Sequence, residues 1–158
     1  GWRNDSALSG GGALFEGGIH WVNFISSLGL TIKSVCGSLP GVESEIERSI
    51  LVTIEYGEGA VGTLYYSWEI PSIFRGLRIS RIFGREGSIT FESNGLFVIV
   101  RGRRNRIIIP NLRDISGYRA MFGDFIHSVR TGDPPKLNLK LVKRDLELVE
   151  MIYQSIKD

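Results

Sequence analysis

The sequence predicts an α+β protein built on an open, mostly antiparallel β-sheet with helices packed on one face. Segments with alternating apolar residues and short glycine turns fill the middle of the chain, and helical apolar periodicity is found at both ends. A helix, a run of antiparallel strands and then two helices is the order expected when helices cover one side of a sheet. Residues 1–158 are predicted to form a single domain.

The first predicted helix spans about residues 13–28, follows a glycine turn at Gly10-Gly11-Gly12, and has Ser9 as its predicted cap. Its apolar residues recur at helical spacing and form one buried side; they are Leu14, Phe15, Ile19, Trp21, Val22, Ile25 and Leu28. Gly17 and Gly18 each lower helix stability by roughly 1 kcal/mol relative to Ala. Their presence predicts that a substrate or a neighbouring domain approaches this backbone closely.

The central strands are predicted from alternating residues and from the turns between them. The clearest hairpin begins at 48–56, where Ile50, Val52, Ile54 and Tyr56 share one face, and turns at Gly57-Glu58-Gly59 into a strand with Leu64, Tyr66 and Trp68. Further strands are predicted at 30–39, 77–83, 88–93, 96–100 and 106–109, with a loop at 71–76.

The strand Leu96–Val100 is apolar on both faces, unlike an antiparallel strand with one wet face. One face is predicted to pack on the helices and the other on a partner subunit, which gives a homo-oligomer through the sheet face. The alternative is a central strand covered by a loop.

Two helices close the chain, at about residues 118–130 and 139–157. Buried stripes are predicted on both: Met121, Phe122, Phe125, Ile126 and Val129 on the first, and Leu141, Leu148 and Ile152 on the second. His127 has no acidic residue at i−4, where Gly123 stands, so we interpret it as a surface or interface residue.

Glu16 and His20 stand four residues apart, which places both side chains on one face of a helix, with Asn23 one turn further on. A carboxylate bonded to one imidazole nitrogen fixes the tautomer and raises the basicity of the other, as a general acid/base requires. The same spacing also fits an ordinary helix histidine paired with Glu16.

Trp2 and Arg3 precede the glycine turn and could line a sugar-sized pocket by stacking and bidentate hydrogen bonding, or form a frayed terminus. A basic cluster at Arg101, Arg103, Arg104 and Arg106 falls in a predicted hairpin turn without interleaved aromatic residues. We interpret that cluster as a solvated turn rather than a nucleic-acid patch. An RNA-binding sheet would need more exposed aromatic residues than Tyr65 and Phe97.

The composition is that of an ordinary globular protein, with 42% hydrophobic and 23% charged residues and a net charge of +2. That charge implies no strong attraction to nucleic acid or to a membrane surface. The single Cys36 and the lack of a leader or long apolar run predict a reducing, cytoplasmic location. One cysteine and two separated histidines do not make a metal-ligand set, so no metal is predicted.

The run Gly10–Asn23 resembles the start of the first helix in the C-terminal domain of the glucose-fructose oxidoreductase / inositol dehydrogenase / MocA (Gfo/Idh/MocA) family. The family pattern is a Gly-Gly-Gly turn followed by Asp-x-x-x-His-x-x-Asp, with Glu16, His20 and Asn23 at the three polar positions. Weaker similarities follow in order along the chain at Gly84–Ile89, Phe125-Ile126, Gly132–Pro135 and Leu146–Ser155. Glu16 is one methylene longer than the family Asp, and Asn23 lacks the family charge.

The resemblance implies a two-domain enzyme whose N-terminal Rossmann domain binds NAD or NADP. Hydride would pass between the nicotinamide and a hydroxyl-bearing carbon of a sugar, a polyol or a related small molecule. His20 would move the hydroxyl proton or polarise the carbonyl, together with a Lys of the nucleotide domain, and Glu16 would orient His20. Trp2, Arg3, Gly17 and Asn23 are the residues predicted to contact this substrate.

The sequence has no Gly-x-Gly-x-x-Gly after a strand and no βαβ unit, so the Rossmann domain is predicted to be absent from this chain. The chain alone is therefore predicted to lack dehydrogenase activity. The alternative hypothesis is a stand-alone, non-enzymatic module for oligomerisation or small-ligand binding.

Overall fold

The computed structural model describes residues 6–41, 46–70, 77–109, 114 and 117–157. These residues belong to two compact units. The first unit is drawn from residues 1–70 and 137–158, and the second unit from residues 71–136. The single domain expected from the sequence stays a prediction.

The described elements follow the predicted order of helix, strands and helices. They are α1 (Ser6–Ser9), a π-helical turn (Leu14–Gly18), α2 (Ile19–Ser26), β1 (Ile32–Ser38), β2 (Ser49–Tyr56), β3 (Val61–Ser67), β4 (Ile79–Gly84), β5 (Gly87–Glu92), β6 (Val98–Arg101), β7 (Arg106–Ile108), α3 (Tyr118–Thr131) and α4 (Leu139–Ser155). The α+β class and the antiparallel strands are confirmed. The predicted loop at residues 71–76 lies outside the described residues.

The first unit is a three-stranded antiparallel sheet in the order β1-β2-β3, packed against α2 and α4. Alternation along β2 buries Ile50, Val52, Ile54 and Tyr56, as predicted from the sequence. They form a core with Leu14, Val22, Leu148, Val149 and Ile152. Burial of an aliphatic side chain of this size contributes roughly 1.5–3 kcal/mol.

Helix α4 lies close against β1 at Gly37. A Cβ atom at Gly37 would meet the side chains of Ile152 and Ile156 within about 3 Å. The Gly37 amide also donates to Ser155 Oγ at 2.9 Å. The absence of a side chain at residue 37 thus allows the last helix to pack directly on the strand.

The second unit contains a four-stranded antiparallel sheet in the order β4-β5-β6-β7, together with α3. Arg81, Thr90, Ile99 and Ile107 stand opposite one another across its strands. Helix α3 begins after Gly117, and Asp114 accepts hydrogen bonds from the amides of Arg119 and Ala120. A carboxylate at this end of a helix satisfies amides that have no partner within the helix.

The antiparallel strands are divided between two sheets, since β3 does not pair with β4 among the described residues. Alternation reports which face of a strand is buried, but it carries no information on which strand is its neighbour. The prediction of a buried stripe on α3 is wrong, because its Phe125 and Val129 are 62% and 69% accessible. A helical pattern identifies an apolar face without identifying what covers it.

The first predicted helix is also not uniform. Its beginning is a π-helical turn, and regular α-helix starts only at Ile19. Five residues are too few for apolar periodicity to distinguish the two helix types. No helix in the described part of the chain has the length and apolar character needed to cross a bilayer.

Candidate active site

The glycine turn before the π-helical segment is held by two residues that are remote in sequence. The Ala13 amide donates to the Glu47 carbonyl at 2.9 Å, and the Leu14 amide donates to Glu47 Oε1 at 3.0 Å. The Gly12 amide donates to the Tyr153 hydroxyl at 3.3 Å, and that hydroxyl donates to Glu47 Oε1 at 2.6 Å. Glu47 and Tyr153 therefore take the capping role predicted for Ser9.

Ser9 itself lies in α1, and its Oγ is buried without a hydrogen-bond partner among the described residues. Burial, followed by the neighbouring Glu47 carboxylate, raises the pKa of Tyr153 far above its ordinary value. Tyr153 therefore remains a neutral hydroxyl that can both donate and accept at neutral pH.

The three consecutive glycines have identifiable structural reasons. Gly10 has φ of +72°, a left-handed conformation that side chains disfavour. A Cβ atom at Gly11 would lie 2.7 Å from Phe15 Cβ and 2.9 Å from the Tyr153 hydroxyl. A Cβ atom at Gly12 would collide with the backbone and carboxylate of Glu47. The turn can accept the Glu47 and Tyr153 contacts only because it carries no side chains.

Glu16 lies within the π-helical turn, and His20 is the second residue of α2. Both side chains are exposed. His20 makes no hydrogen bond or ion pair with another described residue, so the Glu16–His20 bond expected from i,i+4 spacing is not formed. The reason is the π-helical turn, whose i→i+5 bonds change which residues stand above one another. The catalytic roles of Glu16 and His20 stay predictions.

The close approach predicted at Gly17 is made by the chain itself. A Cβ atom at residue 17 would collide with the phenol of Tyr66, which comes from β3. At Gly18 the nearest atom would be Leu14 Cδ1, 3.0 Å away. The two glycines therefore let the helix start pack on the sheet and on Leu14, and a substrate contact at Gly17 remains a prediction.

Asn23 is bound to a buried acid that the sequence analysis missed. Its Nδ2 donates to Asp145 Oδ2 at 2.6 Å, and Asp145 is only 3% accessible. Ser26 Oγ donates to Asp145 Oδ1 at 2.8 Å, and the Arg144 guanidinium donates to the same oxygen at 2.8 and 3.0 Å. This network joins α2 to α4, and it occupies the amide group of Asn23 that was predicted to contact substrate.

A sequence signal for Asp145 did exist. It stands on the same helical stripe as Leu141, Leu148 and Ile152, and an acid in an apolar stripe requires a partner. Nothing in the spacing identified Asn23 and Ser26, more than 110 positions away, as that partner.

The remaining predicted residues are dispersed. Trp2 and Arg3 lie outside the described residues. His127 is exposed on α3, as predicted, with its Nε2 3.3 Å from Asp133 Oδ2. The four arginines of the predicted basic turn are likewise exposed around the β6–β7 connection.

A shallow cavity of about 290 Å³ lies beside the glycine turn. It is formed by Gly10, Phe15 and the C-terminal half of α4, including Val149, Glu150 and Tyr153. Glu16 and His20 do not line this cavity. It therefore neighbours the Glu47–Tyr153 contacts rather than the imidazole.

The described residues do not fit a dinucleotide. All of their strand pairings are antiparallel, whereas the dinucleotide-binding βαβ unit requires parallel strands and a glycine-rich turn into a helix. No three His, Cys, Asp or Glu side chains within the same residues come together as a metal-ligand group.

The chain is similar to several solved structures of oxidoreductases. GenD2 from gentamicin A biosynthesis, in complex with NAD, is 26% identical, with 99% of this chain and 49% of that chain covered and a TM-score of 0.77. Aldose-aldose oxidoreductase from Caulobacter crescentus, complexed with glycerol, is 21% identical, with 99% and 49% covered and a TM-score of 0.81. Levoglucosan dehydrogenase, in complex with NADH and levoglucosan, is 17% identical, with 98% and 50% covered and a TM-score of 0.81.

The fold thus defines the class as the C-terminal α+β domain of two-domain oxidoreductases, and this chain spans about half the length of the solved structures it matches. The family model described as the GFO/IDH/MocA C-terminal domain matches residues 1–90. The chain belongs to the Gfo/Idh/MocA family. None of the curated proteins matches it.

Proposed function

We propose that this chain is the substrate-side domain of an NAD(P)-dependent oxidoreductase acting on a sugar, a polyol or a related small hydroxy or keto compound. The observation that carries the proposal is the family match over residues 1–90, which includes the glycine turn, Glu16 and His20. Two similar structures whose names identify a sugar substrate, an aldose and levoglucosan, favour a sugar-like compound.

The chemistry assigned to this chain is proton transfer. His20 is exposed and its imidazole is not engaged by another described residue, so it is available to a substrate hydroxyl. Near neutral pH an imidazole can accept the proton of an alcohol as it becomes a carbonyl, or return it in the reverse direction. Glu16 would orient the imidazole once substrate is bound, because catalytic hydrogen bonds are often formed only in the substrate complex.

Trp2, Arg3, Gly17 and Asn23 remain our proposed substrate contacts. Asn23 Nδ2 is held by Asp145, so any contact that it makes would use its remaining polar atoms. NAD or NADP would be held by a nucleotide domain outside this chain, and we propose that the 158-residue chain alone turns over no substrate. We propose the reducing, cytoplasmic location that is expected for a chain with a single cysteine, Cys36.

The test is made on the full-length product of the gene, in which we propose that a nucleotide domain precedes this chain. The 158-residue chain is measured in parallel. NADH and NADPH are titrated into both by fluorescence, and turnover of sugars and polyols is then measured. Binding and turnover by the longer product but not by this chain are expected. Turnover by the 158-residue chain alone would contradict the proposed division of roles.

His20→Ala in the longer product is expected to lower kcat by about 10²–10⁴-fold, the range for loss of a general acid/base. His127→Ala is the matched control, because His127 is the second histidine of the chain and lies exposed on α3. Equal activity of the His20→Ala variant and wild type would exclude the catalytic role of His20.

A stand-alone oligomerisation or ligand-binding module is a second candidate. The exposed apolar faces of α3 and of the second sheet favour it, since such faces are typical of interaction surfaces. Failure of the longer product to bind either nucleotide would favour this candidate over the enzyme.

A further inference from the structure

The beginning of the predicted active-site helix lacks a local cap. No side chain at the preceding residue, Ala13, caps the π-helical turn, and the first amides of a helix have no partner within it. The amides of residues 12, 13 and 14 are bonded instead by Glu47, which lies just before β2, and by Tyr153 of α4. The helix start is therefore held by both the sheet and the last helix.

These contacts converge on one atom. Glu47 Oε1 accepts from the Leu14 amide at 3.0 Å and from the Tyr153 hydroxyl at 2.6 Å. A side chain at Gly11 would collide with Tyr153, and one at Gly12 would collide with Glu47. The glycine turn therefore packs directly against these two residues. Leu14 is fully buried, so the last bonded amide belongs to a residue that is also fixed by packing.

The segment that follows carries the predicted chemistry. Glu16 is two residues beyond Leu14, within the π-helical turn, and His20 follows that turn directly in α2. Both lie on the backbone that continues from this turn. A turn that moved would displace both groups, and a displacement of about 1 Å can lower a rate by about 10²-fold.

We propose that Glu47 and Tyr153 are positioning residues of the active site, which fix the Gly12–Leu14 turn and thereby the places of Glu16 and His20. The inference rests on the proposed function. Neither residue would touch the reacting atoms in this role.

The decisive variants are Glu47→Ala and Glu47→Gln. Alanine leaves the Leu14 amide and the Tyr153 hydroxyl without their acceptor, whereas the single amide oxygen of Gln can accept both bonds. In the longer gene product, Glu47→Ala is expected to lower kcat by about 10- to 100-fold with KM changed much less, and Glu47→Gln to restore most of kcat. Equal kcat in wild type and Glu47→Ala would overturn the proposal.

Tyr56→Phe is the matched control, because the Tyr56 hydroxyl donates to the Ile25 carbonyl at 3.2 Å, near the other end of α2. It removes a comparable bond from the same helix without touching the glycine turn, so kcat should stay near the wild-type value. If Glu47→Ala does not fold, Tyr153→Phe removes the hydroxyl contact alone, and an unchanged kcat there would equally contradict the proposal.

A second readout separates this proposal from the proposed function. NMR spectra of the 158-residue chain should show shifted His20 ring resonances in Glu47→Ala, and near wild-type resonances in Glu47→Gln and Tyr56→Phe. Unchanged His20 resonances in Glu47→Ala would overturn the positioning role. If instead His20→Ala is fully active in the longer product, the proposed function fails. The NMR spectra would still show whether Glu47 fixes the position of His20.

Discussion

Two acids determine much of the local structure at the scale of single residues, because each is buried with several donors. Asp145 receives hydrogen bonds from α2 and from Arg144. Glu92 is 2% accessible and receives the amides of Arg78, Asn94 and Leu96 as well as Asn94 Nδ2. A buried carboxylate is tolerated where donors replace its hydration, so neither residue can be exchanged without consequence.

Asn23→Asp is expected to destabilise the first unit at neutral pH. The new carboxylate would stand at hydrogen-bond distance from Asp145, and two such groups share a proton, which raises the pKa of one of them. The folded state then binds more protons than the unfolded state. Its stability is therefore lower at about pH 7.5, by about 1–3 kcal/mol relative to wild type, and recovers towards about pH 4.5. Urea unfolding at the two pH values measures this difference.

The control is Asn138→Asp, the same exchange at the cap of α4. Asn138 Oδ1 accepts from the Leu141 amide at 3.2 Å, and Asp is as good a cap as Asn. Little change in stability is expected there. An Asn23→Asp variant with the same pH profile as Asn138→Asp would contradict our interpretation of the buried pair.

Glu92→Gln tests the other buried acid. Burial would raise the pKa of Glu92, but the surrounding donors outweigh it and lower the pKa below its ordinary value. Glu92 therefore contributes stability that is present above the pKa of the unfolded chain and is lost as pH falls through the lower folded pKa. Glu92→Gln should lower the free energy of unfolding by about 1–3 kcal/mol at neutral pH. The NH₂ group of Gln replaces one carboxylate oxygen and cannot accept the hydrogen bonds that this oxygen received.

Thermal unfolding is measured between about pH 7 and about pH 3. The difference in Tm between wild type and Glu92→Gln should become smaller as the pH falls. Glu86→Gln, in the exposed β4–β5 turn, is the control with no expected pH effect. A difference in Tm that stays constant across this pH range would show that the charge of Glu92 does not contribute to its bonds with these donors.

At the scale of elements, the π-helical turn is the clearest departure from regular structure, and Gly17 allows it to pack on β3 through Tyr66. Gly17→Ala is expected to destabilise the first unit by about 1–3 kcal/mol, because an added methyl group has no space there. In a chain that already carries Tyr66→Phe, Gly17→Ala should lower the free energy of unfolding by less. Urea unfolding of wild type, the two single variants and the double variant gives the coupling energy between the two residues.

Gly123→Ala in α3 is the matched control. A Cβ atom at Gly123 meets nothing within 4 Å, and Ala exceeds Gly in helix propensity by roughly 1 kcal/mol, so that variant should be stabilised. A Gly17→Ala variant that is also stabilised would refute the assigned collision.

The elements divide into those that a local pattern determines and those that it does not. The buried face of β2 follows from alternation at Ile50, Val52 and Ile54, and the glycine turn followed from its residues. The sequence could not identify Glu47 and Tyr153 as the cap, because their contacts with Gly12 and Leu14 join distant parts of the chain. The π-helical turn was missed because its five residues, Leu14–Gly18, are too few for apolar periodicity to distinguish it from an α-helix.

At the scale of the whole molecule, the second unit exposes large apolar residues on its sheet. Phe83 is 75% and Ile107 is 72% accessible, and pairing places both on the same sheet face as Ile99. This is one face of the strand that was predicted to contact a partner subunit. Self-association through it stays a prediction.

Phe83→Lys is expected to shift the chain from an oligomer to a monomer, because it adds a charge to a face that would otherwise become buried. Light scattering coupled to size-exclusion chromatography measures the molar mass. Ile108→Lys is the control on the opposite face of the same sheet, and it should leave the mass unchanged. A monomeric wild type would contradict the expected oligomer.

The cap formed by Glu47 and Tyr153 also determines when the glycine turn can be completed during synthesis. Tyr153 follows Gly12 by 141 positions, so the bond between them can form only after both segments have left the ribosome. Because a chain emerges from its N-terminus, the glycine turn is made long before the hydroxyl that helps to secure it. A chain truncated between Ser26 and Tyr153 would therefore retain His20 but lack the hydroxyl that helps to hold its helix.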